Sequence, residues 1–145
     1  MQSRDTNRTL EQQRAADALS CVERLKSESD KDFLAAYRSY AERLASAIVM
    51  NGLGQALATE LAAAGPADDR WARASDARAH RTLFDNINRW LCRLDGGIYP
   101  GAENVLKAML NGNQSLYLRA HAEALAWLEW HKKFCQAFLP RREEE

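Results

Sequence analysis

Three groups of residues in this chain have the types and spacing to do chemistry. His131 and Cys135 stand four apart, so on a helix both side chains reach one side and can hold one metal ion. A metal centre needs three or four ligands, and no second pair with ligand spacing accompanies them; His80 and His121 are isolated. A packed core pair is the better reading. Gly52-Leu53-Gly54-Gln55 has the glycines of a phosphate-cradling loop, but it lacks the Lys-Ser/Thr that completes one and follows no strand. Close helix packing accounts for it better. Paired carboxylates occur at Asp68-Asp69 and Glu143-Glu144-Glu145, both in polar stretches that stay solvated. The serines and cysteines fall in helices or caps with no nucleophile elbow around them. No catalytic residue, metal or cofactor is expected.

Cations are the next candidates, because a phosphate contact needs only charge and reach. Arg14, Arg24 and Lys26 lie near the amino end, with Arg8 just ahead; Arg119, Lys132 and Lys133 lie near the carboxyl end. If those two segments are neighbouring helices, one face can track a phosphate backbone. Two observations weigh against this. Lysine plus arginine equal aspartate plus glutamate at twenty each, so bulk charge does not grip nucleic acid. Arg119 with Glu123 and Glu129 with Lys133 also have ordinary i,i+4 spacing. Trp130 falls on the polar strip with Arg119, Glu123 and Lys133, and Trp71 falls in a polar loop over 67–75. Both are candidate anchors for a partner subunit. Trp130 alternatively stacks on a base or packs under the 67–75 loop.

The elements that position these residues read as helices throughout. Thr9 and Gln12 form a capping box for a helix from about Leu10 to Lys26 with Ala15, Ala18, Leu19, Val22 and Leu25 on one face. Ser29-Asp30 cap a second, striped by Phe33, Ala36, Tyr37, Tyr40, Ala41, Leu44 and Ile48. At Asn51-Gly52 the spacing allows a real break or a third helix that starts near Ser46 and tolerates both glycines; the second is preferred. Gly65-Pro66 closes that segment. Ser75 or Asp76 opens the next helix, which carries Leu83, Phe84, Ile87, Trp90, Leu91 and Leu94 up to Asp95-Gly96-Gly97. Pro100 suits the first turn of the following helix. After Asn111-Gly112-Asn113 a last helix runs from about Ser115 to Phe138. Its two apolar stripes are Tyr117, Ala120, Ala124, Trp127, His131, Phe134 and Phe138, and Leu118, Leu125, Leu128 and Cys135.

No segment alternates as a strand, so the fold class is all-α: one domain over residues 1–145, with a helical core at 8–139 and loose ends at 1–7 and 140–145. The 145 residues suffice for a core without staples, with 46% apolar and 28% charged residues. The three cysteines, Cys21, Cys92 and Cys135, are no disulfide framework. The polar start is no signal peptide, and the uncharged stretch from Leu44 to Thr59 is too short for a membrane span, so the expected compartment is the cytoplasm.

Four segments carry a resemblance: Arg8 to Leu19, Asn51 to Leu57, Leu83 to Leu91 leading through a tyrosine near position 99, and above all Tyr117 to Phe134. In order and spacing the chain resembles the small subunit of the type III-B CRISPR (Cmr) effector complex over nearly its full length. The resemblance implies a bundle of about six helices. It implies several copies stacked in a filament beside the subunits that hold the guide RNA, lining the channel where target RNA pairs with that guide. It assigns RNA cleavage to the backbone subunit and nucleotide cyclisation to the large subunit, and neither to this chain. The basic positions that match are Arg14, Arg119, Lys132 and Lys133; Arg24 and Lys26 are added from the helix wheel. The chain departs from the pattern at Ala45-Ser46-Ala47, where relatives often carry a proline, so a softer helix break is expected there. The related type III-A small subunit does a similar job. Other readings are a helical adaptor that binds a protein partner without touching RNA, and a metal-dependent nuclease, which the scattered carboxylates and histidines discourage.

Overall fold

The computed structural model describes residues 8–66 and 74–142. Among these, six α-helices and no strand form the fold. The helices are α1 (Leu10–Leu25), α2 (Lys31–Asn51), α3 (Leu53–Ala64), α4 (Ser75–Leu91), α5 (Val105–Asn111) and α6 (Gln114–Phe138). The all-α expectation holds. No helix among the described residues is long and apolar enough to cross a membrane.

The caps follow the sequence chemistry. Thr9 accepts from the Gln12 amide, and Gln12 reaches back to the Thr9 amide, closing the capping box of α1. Asp30 caps α2, Asn104 caps α5 and Asn113 caps α6, each with its side-chain oxygen on amides of the first turn. α4 opens at Ser75, as expected, and the Ser75 hydroxyl donates to Asp30 Oδ2 at 2.8 Å, tying the starts of α2 and α4 together. Pro100 is not in a first turn. It lies in the 92–104 connection, before Gly101, and α5 starts at Val105.

The preferred reading around the glycines is corrected. α2 runs unbroken through Ser46 to Asn51, and the break is real, at Gly52. Gly52 has φ +90°, where a Cβ is strained, and a Cβ there would stand 3.1 Å from the Tyr117 hydroxyl. Gly54 lies inside α3, and its amide donates to the same hydroxyl at 3.2 Å. Both glycines therefore receive one neighbour, the start of α6.

α6 is central, flanked by α1 and α2, while α4 packs on α1, α2 and α3. Contacts such as Arg14 with Glu123 and Lys26 with Phe138 show that α1 and α6 run parallel. Tyr37, Leu44, Ile48, Leu83, Ile87, Leu91, Trp127 and Leu128 are fully buried between the layers. Leu118, placed on an apolar stripe by spacing, is instead 57% exposed. Past the end of α6, Leu139 O accepts from Arg38 at 3.0 Å, and Arg142 pairs with Asp76 at 3.1 Å.

Candidate RNA and subunit interface

The parallel packing of α1 on α6 brings the two basic segments together, as their proximity in the fold requires for a shared surface. It also gives one candidate a partner inside the fold. Arg14 lays its guanidinium fork on Glu123, with Nε donating to Oε2 at 2.7 Å and Nη2 to Oε1 at 2.9 Å. The Trp90 indole N–H donates to the same Oε2 at 3.0 Å. Glu123 is buried, not on a solvated strip with Arg119. Burial alone would raise its carboxyl; the bonds from Arg14 and Trp90 outweigh that and hold it below the ordinary glutamate value.

A second triad repeats this chemistry with the helices exchanged. Arg89 donates to Asp17 at 2.7 and 3.1 Å, and the Trp127 indole donates to Asp17 at 2.9 Å. Each triad takes one residue from each of α1, α4 and α6, and each joins a carboxylate, a guanidinium and an indole N–H. Arg89 also donates to Cys21 Sγ at 2.8 Å. Spacing along one helix could not reveal either set, because the partners lie 33 to 110 residues apart.

The other predicted cations differ in their freedom. Arg24 is exposed but bonded to Ser20 at 3.1 Å and Cys21 at 3.4 Å. Lys26 lies over the Phe138 ring at 4.9 Å. Lys133 pairs with Glu129 at 3.1 Å, as its spacing suggested. Arg119 is exposed, and Lys132 stands with Glu129 on the rim of a groove lined by Ala45, Ser46, Val49, Met50, Leu125 and Ala126. Among the described residues, neither Arg119 nor Lys132 forms an ion pair. Trp130 is half-buried against the core and stacks on Phe134, with centroids 5.9 Å apart. Trp71 lies outside the described residues.

The groups that looked like metal chemistry serve the core. His131 is fully buried, stacked on Trp127 at 4.3 Å. Among the described residues, Nδ1 faces the Ala18 carbonyl oxygen at 3.2 Å, which can only accept, so that nitrogen carries the proton, and Nε2 accepts from the Tyr37 hydroxyl at 2.6 Å. Burial lowers its pKa to about 4, against the raising effect of the Ala18 bond. Burial pushes the Cys135 thiol far up, out of the range of a ready ligand or nucleophile. No cluster of three metal-ligating side chains occurs among the described residues.

Residues 10–138 match the family described as CRISPR-associated protein (Cas_Cmr5). The chain belongs to the Cmr5 family. It is therefore a small Cmr-complex subunit of CRISPR defence, as the four sequence segments implied. Its fold is similar to the crystal structure of a CRISPR-associated Cmr5 family protein from Thermus thermophilus. The TM-score is 0.65 at 24% identity, over 92% of this chain and 99% of that one.

Proposed function

We propose that this Cmr5-family chain is a non-catalytic small subunit that stacks with copies of itself and contacts the target RNA–guide duplex, in the cytoplasm. The observation that carries the RNA contact is the pair of cations without an ion-pair partner among the described residues, Arg119 and Lys132, both on α6. Lys133, Lys26 and Arg24 lie near the α1–α6 surface as secondary contributors. The neutral charge balance fits a protein that meets RNA only inside an assembly, where other subunits supply most of the phosphate contacts. The internal use of Arg14 supports a smaller contact than the six predicted cations would make.

The test is purification of the complex through this chain from its native cells. Guide RNA and the larger subunits are expected with the wild-type chain. With Arg119→Glu and Lys132→Glu, target RNA capture weakens severalfold and its dependence on salt becomes shallower, while the chain still folds. One observation favours the adaptor reading, in which RNA is never touched: four of the six predicted cations already have partners within the fold. A partner protein recovered without guide RNA, and capture indifferent to salt, would establish that reading instead.

A further inference from the structure

The two carboxylate–guanidinium–indole sets differ in one respect that the bundle does not need. The Trp127 ring is covered by His131, stacked at 4.3 Å and held neutral by burial. That set is electrically closed, one Asp17 charge against one Arg89 charge. The Trp90 ring is covered by a cation instead: the Arg93 guanidinium lies 3.4 Å from the ring centre. Arg14 already balances Glu123, so this set carries one positive charge in excess. Arg93 forms no ion pair among the described residues, and Glu123, Asp17 and Asp95 act on it only at longer range.

Covering the indole explains the Arg93 stem but not its charge. Trp90 is buried, and a leucine or methionine would cover it without half-burying a cation. Burial lowers the Arg93 pKa, against the raising effect of the three carboxylates. The guanidinium is fixed at one end, where Nη1 donates to the Trp90 carbonyl oxygen at 2.6 Å. Its other edge, Nε with Nη2, has no acceptor among the described residues. In Arg14 that same edge is the one that forks onto Glu123. Gly96 passes beside the free edge of Arg93. A Cβ there would stand 3.5 Å from Nη2 and 4.0 Å from Nε, so a side chain at 96 would begin to cover the fork. A fixed, half-buried and unfilled fork suits an anion with two oxygens side by side.

A carboxylate and a phosphodiester both fit one fork, and a second cation separates them. Arg119 stands one turn before Glu123 on α6, exposed and without an ion pair among the described residues. Two unfilled guanidiniums therefore attend one carboxylate–indole set, Arg93 from the end of α4 and Arg119 from α6. A nucleic-acid backbone presents anions in succession and can serve both, whereas a protein partner would need two carboxylates at that one separation. We propose that Arg93 is a phosphate-binding residue whose Nε–Nη2 edge takes one phosphodiester of the target RNA, near the one met by Arg119. The inference deepens the RNA reading and rests on it. It adds a residue that neither charge balance nor helical spacing singles out.

The experiment uses complex purified from native cells through a guide-bearing subunit, with the full-length chain as wild type, Arg93→Gln, Arg93→Lys or Asp95→Lys. Affinity for an RNA complementary to the guide is measured from low to high salt. Copies of the chain per guide RNA and the Tm of the isolated chain are measured beside it. Arg93→Gln is expected to weaken affinity severalfold at low salt. Its salt dependence should be shallower by about one phosphate contact for each copy that meets the RNA. Arg93→Lys keeps the charge without the fork and should recover part of the loss. Asp95 is exposed and has no partner among the described residues, so Asp95→Lys leaves the packing alone and should tighten binding severalfold at low salt. That variant decides the matter should Arg93→Gln fail to fold, because unchanged affinity there overturns the proposal. Wild-type affinity and salt dependence in Arg93→Gln overturn it too, and with a lowered Tm they would make Arg93 a cover for Trp90 alone. So does a loss of copies with unchanged affinity per remaining copy, which would make a carboxylate of another subunit the ligand. Arg119→Glu with Lys132→Glu tests the reading beneath. If that variant also binds RNA as wild type does, the RNA reading fails; if it is impaired while the Arg93 and Asp95 variants are not, only the role of Arg93 fails.

Discussion

Replacing Arg14 with methionine decides whether this residue meets RNA or holds the bundle together. The guanidinium gives two bonds to a buried carboxylate that also accepts from Trp90. Breaking a buried ion pair from one side costs about 3–5 kcal/mol, because the remaining charge is left uncompensated. Arg14 keeps 22% of its side-chain exposure, so water reaches one end of this pair. Trp90 still donates its bond to the carboxylate. We therefore expect a loss of about 2–3 kcal/mol. In a chain of this length each kcal/mol moves Tm by about 2–4 °C, which places the drop at about 4–12 °C.

Glu123→Gln keeps an acceptor for the Trp90 indole but removes the charge. The double variant is thus expected to be more stable than the two single losses predict, by about 1–2 kcal/mol. The pH dependence supplies a second check. Glu123 titrates below its unfolded value, so its contribution is full above that value, near 4.5, and is lost as pH falls through the folded one. The gap between wild type and Arg14→Met should therefore narrow as pH falls below that unfolded value. Urea denaturation followed by tryptophan fluorescence reads all of these. A variant within about 0.5 kcal/mol of wild type that nonetheless loses RNA capture would refute the reasoning and return Arg14 to the RNA surface.

Other positions give independent checks. Tyr37→Phe removes the hydroxyl that donates to His131 Nε2 and leaves that nitrogen and the Asn86 amide without this partner, so a loss of about 1–3 kcal/mol is expected in urea melts. His131 is held neutral, with its pKa lowered to about 4; its contribution is full above the unfolded value of 6.5 and is lost as pH falls toward 4. Wild-type stability should fall over that window by up to about 1.4 kcal/mol per pH unit, and His131→Asn should flatten the slope. Gly52→Ala meets both a positive φ and the Tyr117 hydroxyl at 3.1 Å, so a loss of at least about 1–2 kcal/mol is expected. Gly54→Ala meets that hydroxyl only at 3.8 Å inside a helix, and should be neutral or stabilising by up to about 1 kcal/mol; equal behaviour of the two variants in thermal melts would refute the account of the break.

The helices were legible because their ends are written locally. Thr9 with Gln12, Asp30 and Asn113 announce starts through side chains that act within three residues. The position of the α2–α3 break was not legible. Glycine is compatible with a packed helix and with a positive-φ turn alike, and only the Tyr117 hydroxyl, 63 residues away from Gly54, shows which glycine does which. Pro100 misled for a similar reason: a fixed φ suits a first helical turn and a tight loop equally.

The surface was legible only in part, and the reason is again range. Helical spacing puts Glu123 one turn after Arg119 and predicts a solvated pair. In the fold, α1 and α4 approach that turn of α6, and the carboxylate is taken by Arg14 and Trp90 instead. The signal that could have raised suspicion is the number of indoles near carboxylates of opposite helices, since a buried Trp N–H needs an acceptor. Trp90 and Trp127 each had to find one, and the acids that serve them, Glu123 and Asp17, then had to be neutralised by Arg14 and Arg89. Arg14 was thus tied to a carboxylate by the needs of an indole on another helix. Arg119, which helical spacing pairs with Glu123 on α6, was left without its carboxylate, which is why it is the stronger candidate for a phosphate.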